Sequence, residues 1–188
     1  IYCYSLVDQI VLKTVQQELK QGWGQAYSSQ LHPMDTAFLI SQEIEKAEVG
    51  VQILKVDITK FFPSIDRAIL FADLEKEIGI RPEVCRLIIA ANSLDNTTGV
   101  VTGGSLSTLL SEFYLRNFKS AFPSEIGFHR FADDMCFVIP SSHNPEAVKQ
   151  KLIDELAKLS LSLSAEKSKI IDPFEEEFEF LGINFISG

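Results

Sequence analysis

Three aspartates in this chain lie at the end of, or within, apolar segments, where a carboxylate contributes nothing to hydrophobic packing. Asp57 ends an apolar run rich in β-branched residues, and Asp133 and Asp134 are adjacent within the apolar stretch 128–139. Neighbouring carboxylates repel each other unless a cation lies between them. A tight turn between two strands can bring such a pair beside a third acid on an adjacent strand. The pattern therefore indicates a candidate site for a hard divalent cation such as Mg²⁺.

Such a site could perform a defined chemistry. Magnesium held by a few carboxylates keeps open positions, which substrate phosphates can fill. Two such ions can activate an attacking hydroxyl and stabilise a leaving pyrophosphate. An Asp-Asp pair standing alone is more often only a polar turn between strands. Asp57 at the end of a separate apolar run shifts the balance toward a metal site, and both interpretations stay open at this point.

The elements that would position these acids follow from hydrophobic periodicity and turn residues. Asp35 or Thr36 is expected to cap the second helix, and the stretch 128–139 is expected to form a β-hairpin with both acids at its tip. This order predicts an α+β domain with helices packed on one face of an antiparallel sheet. The predicted helices are 5–21, 35–47, 66–77, 82–94, 105–119 and 145–159, and the predicted strands are 49–58, the two arms of 128–139, and a last pair within 177–186.

Composition narrows the class of protein. The net charge of −9 is unfavourable for direct binding of nucleic-acid phosphates, which requires Lys and Arg, and the 17 basic residues are scattered. Cys3, Cys85 and Cys136 lack the spacing of a zinc site and are expected to be reduced thiols of a cytoplasmic protein. No apolar run approaches the roughly 18 residues that a membrane span needs, so we expect no membrane segment.

Two segments resemble motifs of reverse transcriptases. Residues 55–65 (Lys-Val-Asp-Ile-Thr-Lys-Phe-Phe-Pro-Ser-Ile) resemble motif A, most closely that of bacterial retron and group II intron enzymes, and residues 131–134 (Phe-Ala-Asp-Asp) resemble motif C. The resemblance implies the palm of a right-hand polymerase that uses two Mg²⁺ ions, for which Mn²⁺ can substitute. It also implies catalytic roles for three acids, which would hold the metals together with the Ile58 carbonyl: Asp57, Asp133 and Asp134.

The resemblance extends to nucleotide-binding residues. Phe62, preceded by Phe61, occupies the family's aromatic gate position, which excludes a ribose 2′-hydroxyl; an ordinary core Phe is the alternative. Residues 99–110 resemble motif B and would place Thr102 and Gly103 beside the nucleotide. The family usually has Pro-Gln-Gly where this chain has Val-Thr-Gly. His32 stands where the family commonly has an Arg that reaches the triphosphate, and a neutral His is a weaker phosphate partner.

The C-terminal third resembles motifs D and E. Residues 161–170 align Lys167 with the lysine that protonates or stabilises departing pyrophosphate, although a solvated surface charge is equally compatible. Residues 180–185 resemble motif E, the primer grip, with Leu181 and Gly182 at its centre. The resemblance implies partial helical fingers in residues 1–48, where 5–11 and 28–37 resemble fingers segments. It implies a palm in 49–188, with a helical insertion at 66–98 returning to fingers or palm, and no thumb.

The function implied by this resemblance is addition of deoxynucleotides to a 3′-hydroxyl, copying an RNA or DNA template. The expected partners are template, primer and deoxynucleoside triphosphates. A thumb or accessory domains would supply basic surface, and an oligomer is compatible with the sequence.

Three alternatives remain. Untemplated DNA synthesis in a phage-defence system, as in abortive-infection reverse transcriptases, is favoured by the altered motif B and by His32. A non-catalytic palm that binds RNA or a protein partner fits the acidity, but three buried carboxylates without metal would cost stability. Nucleotidyl cyclases rank last, because they lack the motif B loop and their hairpin usually reads Gly-Gly-acid-acid-Phe.

Overall fold

The computed structural model describes residues 5–24, 31–47, 50–92, 98–104 and 106–186. The chain divides into two compact units: a helical unit, Ile1–Ser29 with Lys60–Arg116, and a sheet unit, Gln30–Thr59 with Asn117–Gly188. Within the described ranges, no helix is both long and apolar enough to cross a bilayer. The helices are α1 (Leu6–Trp23), α2 (Pro33–Lys46), α3 (Phe61–Ser64), α4 (Arg67–Ile78), α5 (Pro82–Ala91), α6 (Ser107–Tyr114) and α7 (Pro145–Lys158), and the strands are β1 (Gln52–Asp57), β2 (Gly127–Phe131), β3 (Asp134–Ile139), β4 (Lys169–Ile171), β5 (Phe178–Phe180) and β6 (Ile183–Phe185).

The sheet unit is built on an antiparallel sheet with strand order β2-β3-β1-β4. Strand β1 pairs with β3 from Gln52 opposite Ile139 to Asp57 opposite Asp134. Alternate residues of a strand point to opposite faces. Ile53, Lys55 and Asp57 therefore share one face of the sheet, and Leu54 and Val56 lie on the other. A separate antiparallel hairpin, β5–β6, confirms the strand pair predicted within 177–186.

Helices cover both faces of this sheet. Ile40 of α2 joins a core cluster with Ile53 and Val138 on one face. On the other face the ring of Phe137 lies 5.0 Å from that of Phe122, and Lys151 of α7 lies 5.8 Å from the Phe122 ring. The prediction that helices pack on a single face is therefore wrong in this detail. Strand β1 carries buried apolar residues on both faces, Ile53 on one and Leu54 and Val56 on the other, so each face needs a cover.

Helix α2 begins at a different residue from the one predicted. Its N-cap is His32, whose ring Nδ1 accepts a hydrogen bond from the Met34 N–H, and Pro33 occupies the first helical position. Proline is favoured there because its missing N–H would be unpaired in any case. The expected caps Asp35 and Thr36 lie inside the helix instead.

The helical unit is held by aromatic and charged contacts. The rings of Trp23 and Phe113 meet edge to face, with centroids 5.2 Å apart. The Arg116 guanidinium lies 4.1 Å from the centroid of the Phe113 ring and 2.9 Å from the Asp73 carboxylate. Asp66 caps α4, accepting hydrogen bonds from backbone N–H groups of the first turn. These contacts fix α1, α4 and α6 within the unit.

Several boundaries differ from the predictions. Strand β4 was not predicted, and it lies within the segment that resembles motif D. Helix α6 ends at Tyr114, well before residue 119, and Lys119 begins a short 3₁₀ turn. The remaining predicted features lie outside the described residues: Cys3, residues 28–30, Val49, the helix end at Leu94 and Ser105.

Candidate active site

The pairing of β1 with β3 places two of the predicted acids opposite each other. Asp57 is the last residue of β1, Asp134 is the first residue of β3, and their Cα atoms are register partners. Directly paired residues in an antiparallel sheet project from the same face. The carboxylates of Asp57 and Asp134 therefore leave the sheet side by side, and both residues are half-buried.

Asp133 lies in the turn that joins β2 to β3. Phe131 pairs with Asp134, which leaves only Ala132 and Asp133 to connect the strands. Ala132 adopts a positive φ of 53°, a region that costs a residue with a side chain roughly 1–2 kcal/mol. Such strain is often found beside functional residues. The turn thus presents Asp133 at the tip, whereas Asp134 belongs to the strand.

Asp134 is perturbed by its burial and by the charges of the other two acids. Burial raises the pKa of the Asp134 carboxyl above its ordinary value, and the charges of Asp133 and Asp57 raise it further. Lys55 and Lys167 oppose this shift. Asp57, Asp133 and Asp134, together with these two lysines, are called the acid edge below. The acid edge carries an excess of negative charge, which a bound cation would relieve.

Lys167 lies at this edge. Its Nζ donates a hydrogen bond of 3.1 Å to Oδ2 of Asp57, and its side chain is 68% exposed while that of Asp57 is 16% exposed. The hydrogen bond to Asp57 raises the pKa of the Lys167 ammonium, and the charge of Asp57 adds to the shift. Because the Lys167 ammonium is solvent-exposed, a divalent cation that binds Asp57 more strongly can displace it.

The backbone that carries Lys167 is pinned to the end of β1. The Ser164 N–H donates to the Asp57 carbonyl at 2.9 Å, and the Thr59 N–H donates to the Ser162 carbonyl at 2.9 Å. Ile58, buried between them, forms an isolated antiparallel bridge with Leu163. These bonds extend the sheet past β1 and hold the Lys167 segment beside Asp57.

Lys55 completes the acid edge and was not predicted as a site residue. It lies on the same face of β1 as Asp57, and its Nζ donates to the backbone carbonyl of Glu179 in β5. Its charge lowers the pKa of Asp134. Period-two alternation along β1 would have identified it, because positions 55 and 57 share a face.

The acids are suitable metal ligands by chemistry, although they are not arranged as a closed ligand set. Carboxylate oxygens are the donors that Mg²⁺ prefers, and the burial of Asp134 beside two other acids, which raises its pKa, fits a position that binds a cation. Within the described ranges, no group of three or more His, Cys, Asp or Glu residues is arranged to hold a metal ion. The Asp57 carboxylate is instead hydrogen-bonded to Lys167.

The remaining predicted site residues lie in several elements. Leu181 and Gly182 form the turn between β5 and β6, both with positive φ, 54° and 76°. That combination defines a type I′ hairpin turn, in which Leu is unusual. His32 is exposed in the sheet unit and caps α2 through its ring nitrogen.

The helical unit contains the other predicted nucleotide-binding residues. Phe61 is buried and Phe62 half-buried at the start of α3, with ring centroids 5.3 Å apart. Thr102 and Gly103 are exposed, and Gly103 has a φ of 76° that favours glycine. Each of these residues is thus located on a defined element, and their roles in binding stay predictions.

Comparison with solved structures identifies the class of fold. The chain is similar to a telomerase from Candida albicans in complex with a TWJ fragment of telomeric RNA, with a TM-score of 0.71 and 15% identity over 94% of this chain and 37% of that one. It is also similar to an apo telomerase from Candida tropicalis, with a TM-score of 0.66 and 13% identity over 94% and 39% of the two chains. A C-terminally truncated form of the latter gives 0.64 and 16% over 95% and 44%. These likenesses confirm the predicted α+β polymerase palm with partial fingers.

The family follows from the sequence itself. Residues 1–185 match the family described as "Reverse transcriptase (RNA-dependent DNA polymerase)", and the chain belongs to this family. The predicted family of RNA-directed DNA polymerases is thereby confirmed. No curated protein sequence gives a significant match. The chain spans 37–44% of the length of the telomerases compared above.

Proposed function

We propose that this chain supplies the catalytic palm of a reverse transcriptase that adds deoxynucleotides to a primer 3′-hydroxyl on an RNA or DNA template. The observation that carries this proposal is the pairing of Asp57 with Asp134, with Asp133 in the adjoining turn. A half-buried cluster of like charges is costly unless it has a cationic partner. Membership of the reverse transcriptase family supports metal-assisted nucleotidyl transfer as the chemistry that this cluster would serve.

The residues divide the work by position. Asp57 and Asp133 would hold two Mg²⁺ ions, with Mn²⁺ as a substitute, and the Ile58 carbonyl would add a ligand. When bound, the ions supply Lewis acidity toward the primer hydroxyl and the triphosphate. Asp134, whose carboxyl has a raised pKa, adjusts the charge of the site rather than ligating both ions.

Lys167 would stabilise or protonate the departing pyrophosphate. Its ammonium is bound to Asp57 in this structure, so it must turn away from that carboxylate to meet a substrate. The exposed side chain has the freedom to do so. Phe62 would exclude ribonucleotides, Phe61 would support its ring, and the turn at Leu181 and Gly182 would contact the primer. Thr102, Gly103 and His32 would contact nucleotide or template.

The broader context is part of the proposal. The net charge of −9 leaves the basic surface for nucleic acid to other parts of the protein, such as a thumb or accessory domain. We place fingers segments in residues 1–48 and the palm in 49–188, with 66–98 as an insertion; the compact units follow packing and do not coincide with these boundaries. A cytoplasmic enzyme of retron, group II intron or abortive-infection type is the setting that the motifs favour.

The experiment is a primer-extension assay on the natural full-length protein with Mg²⁺, sequencing the products. The wild type is compared with Asp133→Asn and with Asp154→Asn, a matched change at an exposed aspartate of α7. We expect template-complementary DNA from the wild type and the Asp154 variant. Product should fall at least about a thousandfold in the Asp133 variant, with circular dichroism unchanged. Equal activity in both variants would refute the assignment.

Untemplated synthesis is the second candidate. The Val-Thr-Gly sequence at 101–103 replaces the usual Pro-Gln-Gly, and it removes a side-chain amide that could contact the template. Products of random sequence that still depend on Asp133 would select this candidate. If the folded wild type makes no product, even with its RNA or protein partner supplied, a non-catalytic palm becomes the better interpretation.

A further inference from the structure

The loop that resembles motif B is fastened to α3 at the residue predicted to be the sugar gate. The Val100 N–H donates a 2.8 Å hydrogen bond to the Phe62 carbonyl. Gly99 packs so closely that a Cβ there would lie 2.4 Å from the Phe62 carbonyl oxygen and 2.3 Å from that of Pro63. No real Cβ tolerates such distances to backbone, so glycine is required for this contact. Loop and gate therefore share a backbone interface.

Arg67, on the first turn of α4, holds the loop from one side. Its Nε donates a 2.8 Å hydrogen bond to the Gly99 carbonyl, and one terminal nitrogen donates to the Asn92 carbonyl. The planar guanidinium can reach both carbonyls at once because its donors form a rigid fork. Arg67 thereby ties the end of α5 to the start of the loop.

Asn92 holds the loop from the other side and is itself buried. Its Oδ1 accepts a 2.8 Å hydrogen bond from the Val101 N–H, and its Nδ2 donates at 2.8 Å to the Ile88 carbonyl of α5. Ser107 of α6 donates through its hydroxyl to the Val101 carbonyl. Arg67, Asn92 and Ser107, together with loop residues 99–101, are called the loop network below.

Arg67 is the charged member of the loop network, and the other contacts join uncharged groups. The backbone groups of the loop that make these contacts are buried and hydrogen-bonded. Val100 and Val101 are almost fully buried. Groups paired in this way resist displacement, because moving the loop would leave buried donors without acceptors. The Phe62 backbone is thus bonded to a loop that three side chains hold in place, those of Arg67, Asn92 and Ser107.

We propose that the loop network is a specificity device: Arg67, Asn92 and Gly99 position the Phe62 gate and so determine discrimination between deoxyribo- and ribonucleotides. This inference rests on the proposed function, because it assumes that Phe62 meets the sugar. A bulky ring excludes a 2′-hydroxyl only if its backbone cannot retreat. Displacements on the order of 1 Å away from the chemistry are enough to change rates about a hundredfold.

The test uses Gly99→Ala, which pushes loop and gate apart without altering a hydrogen-bonding side chain. Its matched control is Gly79→Ala at the C-cap of α4, where φ is 66° and no atom lies within 4 Å of the added Cβ. Both changes strain the helical unit, but only the first touches the gate. In the full-length protein, kcat/KM is measured for a deoxynucleotide and for the matching ribonucleotide.

We expect Gly99→Ala to lower the deoxy-to-ribo ratio of kcat/KM by about tenfold or more, through a higher KM for deoxynucleotide and a lower KM for ribonucleotide. Gly79→Ala should keep the wild-type ratio. Asn92→Ala should shift the ratio in the same direction, and Arg67→Lys should shift it less, since the ammonium can still donate to one of the two carbonyls that the guanidinium holds. A purely structural role would change stability in all variants without changing the ratio.

The outcomes separate this inference from the proposed function. A folded Gly99→Ala protein that makes DNA with an unchanged ratio overturns the inference and leaves the proposed function standing. Absence of product from the wild type overturns both. If Gly99→Ala is too unstable to purify, the same comparison between Arg67→Lys and the wild type decides, with an unchanged ratio counting against the inference.

Discussion

The acid edge of the sheet unit and the loop network of the helical unit hold their backbones in opposite ways. At the acid edge, Asp57 and Asp134 are cross-strand partners with the same charge, so the folded chain keeps a repulsion that burial makes stronger. In the loop network, buried backbone groups meet complementary partners at Asn92 and Arg67. The repulsion at the acid edge therefore lowers the stability of the folded chain, whereas the hydrogen bonds of the loop network raise it.

This difference separates two kinds of functional residue. Carboxylates that bind a metal repel one another until the metal is present. This electrostatic cost is tolerated because the free energy of metal binding offsets it. Groups that only position others can be fully satisfied before any ligand arrives. Substitutions should therefore affect activity and stability in opposite patterns in the two regions.

Of the substitutions that test this difference between the acid edge and the loop network, Lys167→Gln is expected to have the largest effect. Lys167→Gln removes the ammonium bound to Asp57 and should lower kcat by about a hundredfold, the range for loss of a general acid. Thermal stability should change little, because the Lys167 side chain is exposed and water screens its attraction to Asp57. The measurement is single-turnover primer extension with a melting curve.

Lys158→Gln provides the control for Lys167→Gln. Lys158 is another exposed lysine in an ion pair, 2.7 Å from Glu155 on α7, and its loss should leave kcat unchanged. Equal activity of the two variants would assign Lys167 to the surface, the alternative that its sequence context left open.

Much of the acid edge could be predicted from the sequence. Asp57 and the pair at 133–134 interrupt apolar runs, and antiparallel pairing of those runs brings them together. Lys167 is different because it lies far from Asp57 in the sequence, and only the resemblance of its segment to motif D predicted it as a site residue. The structure places its ammonium on Asp57, and its catalytic role stays a prediction.

The loop network could not be predicted, for a physical reason. Arg67, Asn92 and Gly99 lie in separate segments, and their partners are backbone carbonyls and amides, which every residue possesses. Sequence patterns report side-chain types, so a contact between a side chain and a distant backbone group leaves no periodic signal. The same limit explains β4, which is only a short edge strand.

An intermediate effect is expected at Asn92. Asn92→Ala leaves the buried Val101 N–H without its acceptor, which typically costs about 1–3 kcal/mol. Urea unfolding should show this loss as a lower midpoint with an unchanged slope. Asn184→Ala, at an exposed position of β6, should stay within about 0.5 kcal/mol of the wild type. A wild-type midpoint for the Asn92 variant would contradict the claim that the loop network contributes stability.

The smallest effect has the opposite sign and lies at the acid edge. Asp134→Asn removes one of two like charges that face each other across β1 and β3. Without metal the variant should be more stable than the wild type, by about 0.2–1 kcal/mol, the size of cross-strand pair effects. The measurement is urea unfolding at neutral pH in the presence of a chelator, with Asp154→Asn as a neutral reference.

Adding saturating Mg²⁺ extends this comparison. If a cation binds at the acid edge, it stabilises the wild type in proportion to its differential affinity for the folded state, and the advantage of Asp134→Asn should shrink. The Asn92 variant should gain the same increment as the wild type, since its defect lies in uncharged contacts. If the Asp134 variant is destabilised under chelation, the carboxylate is a structural partner and the contrast between the two regions fails.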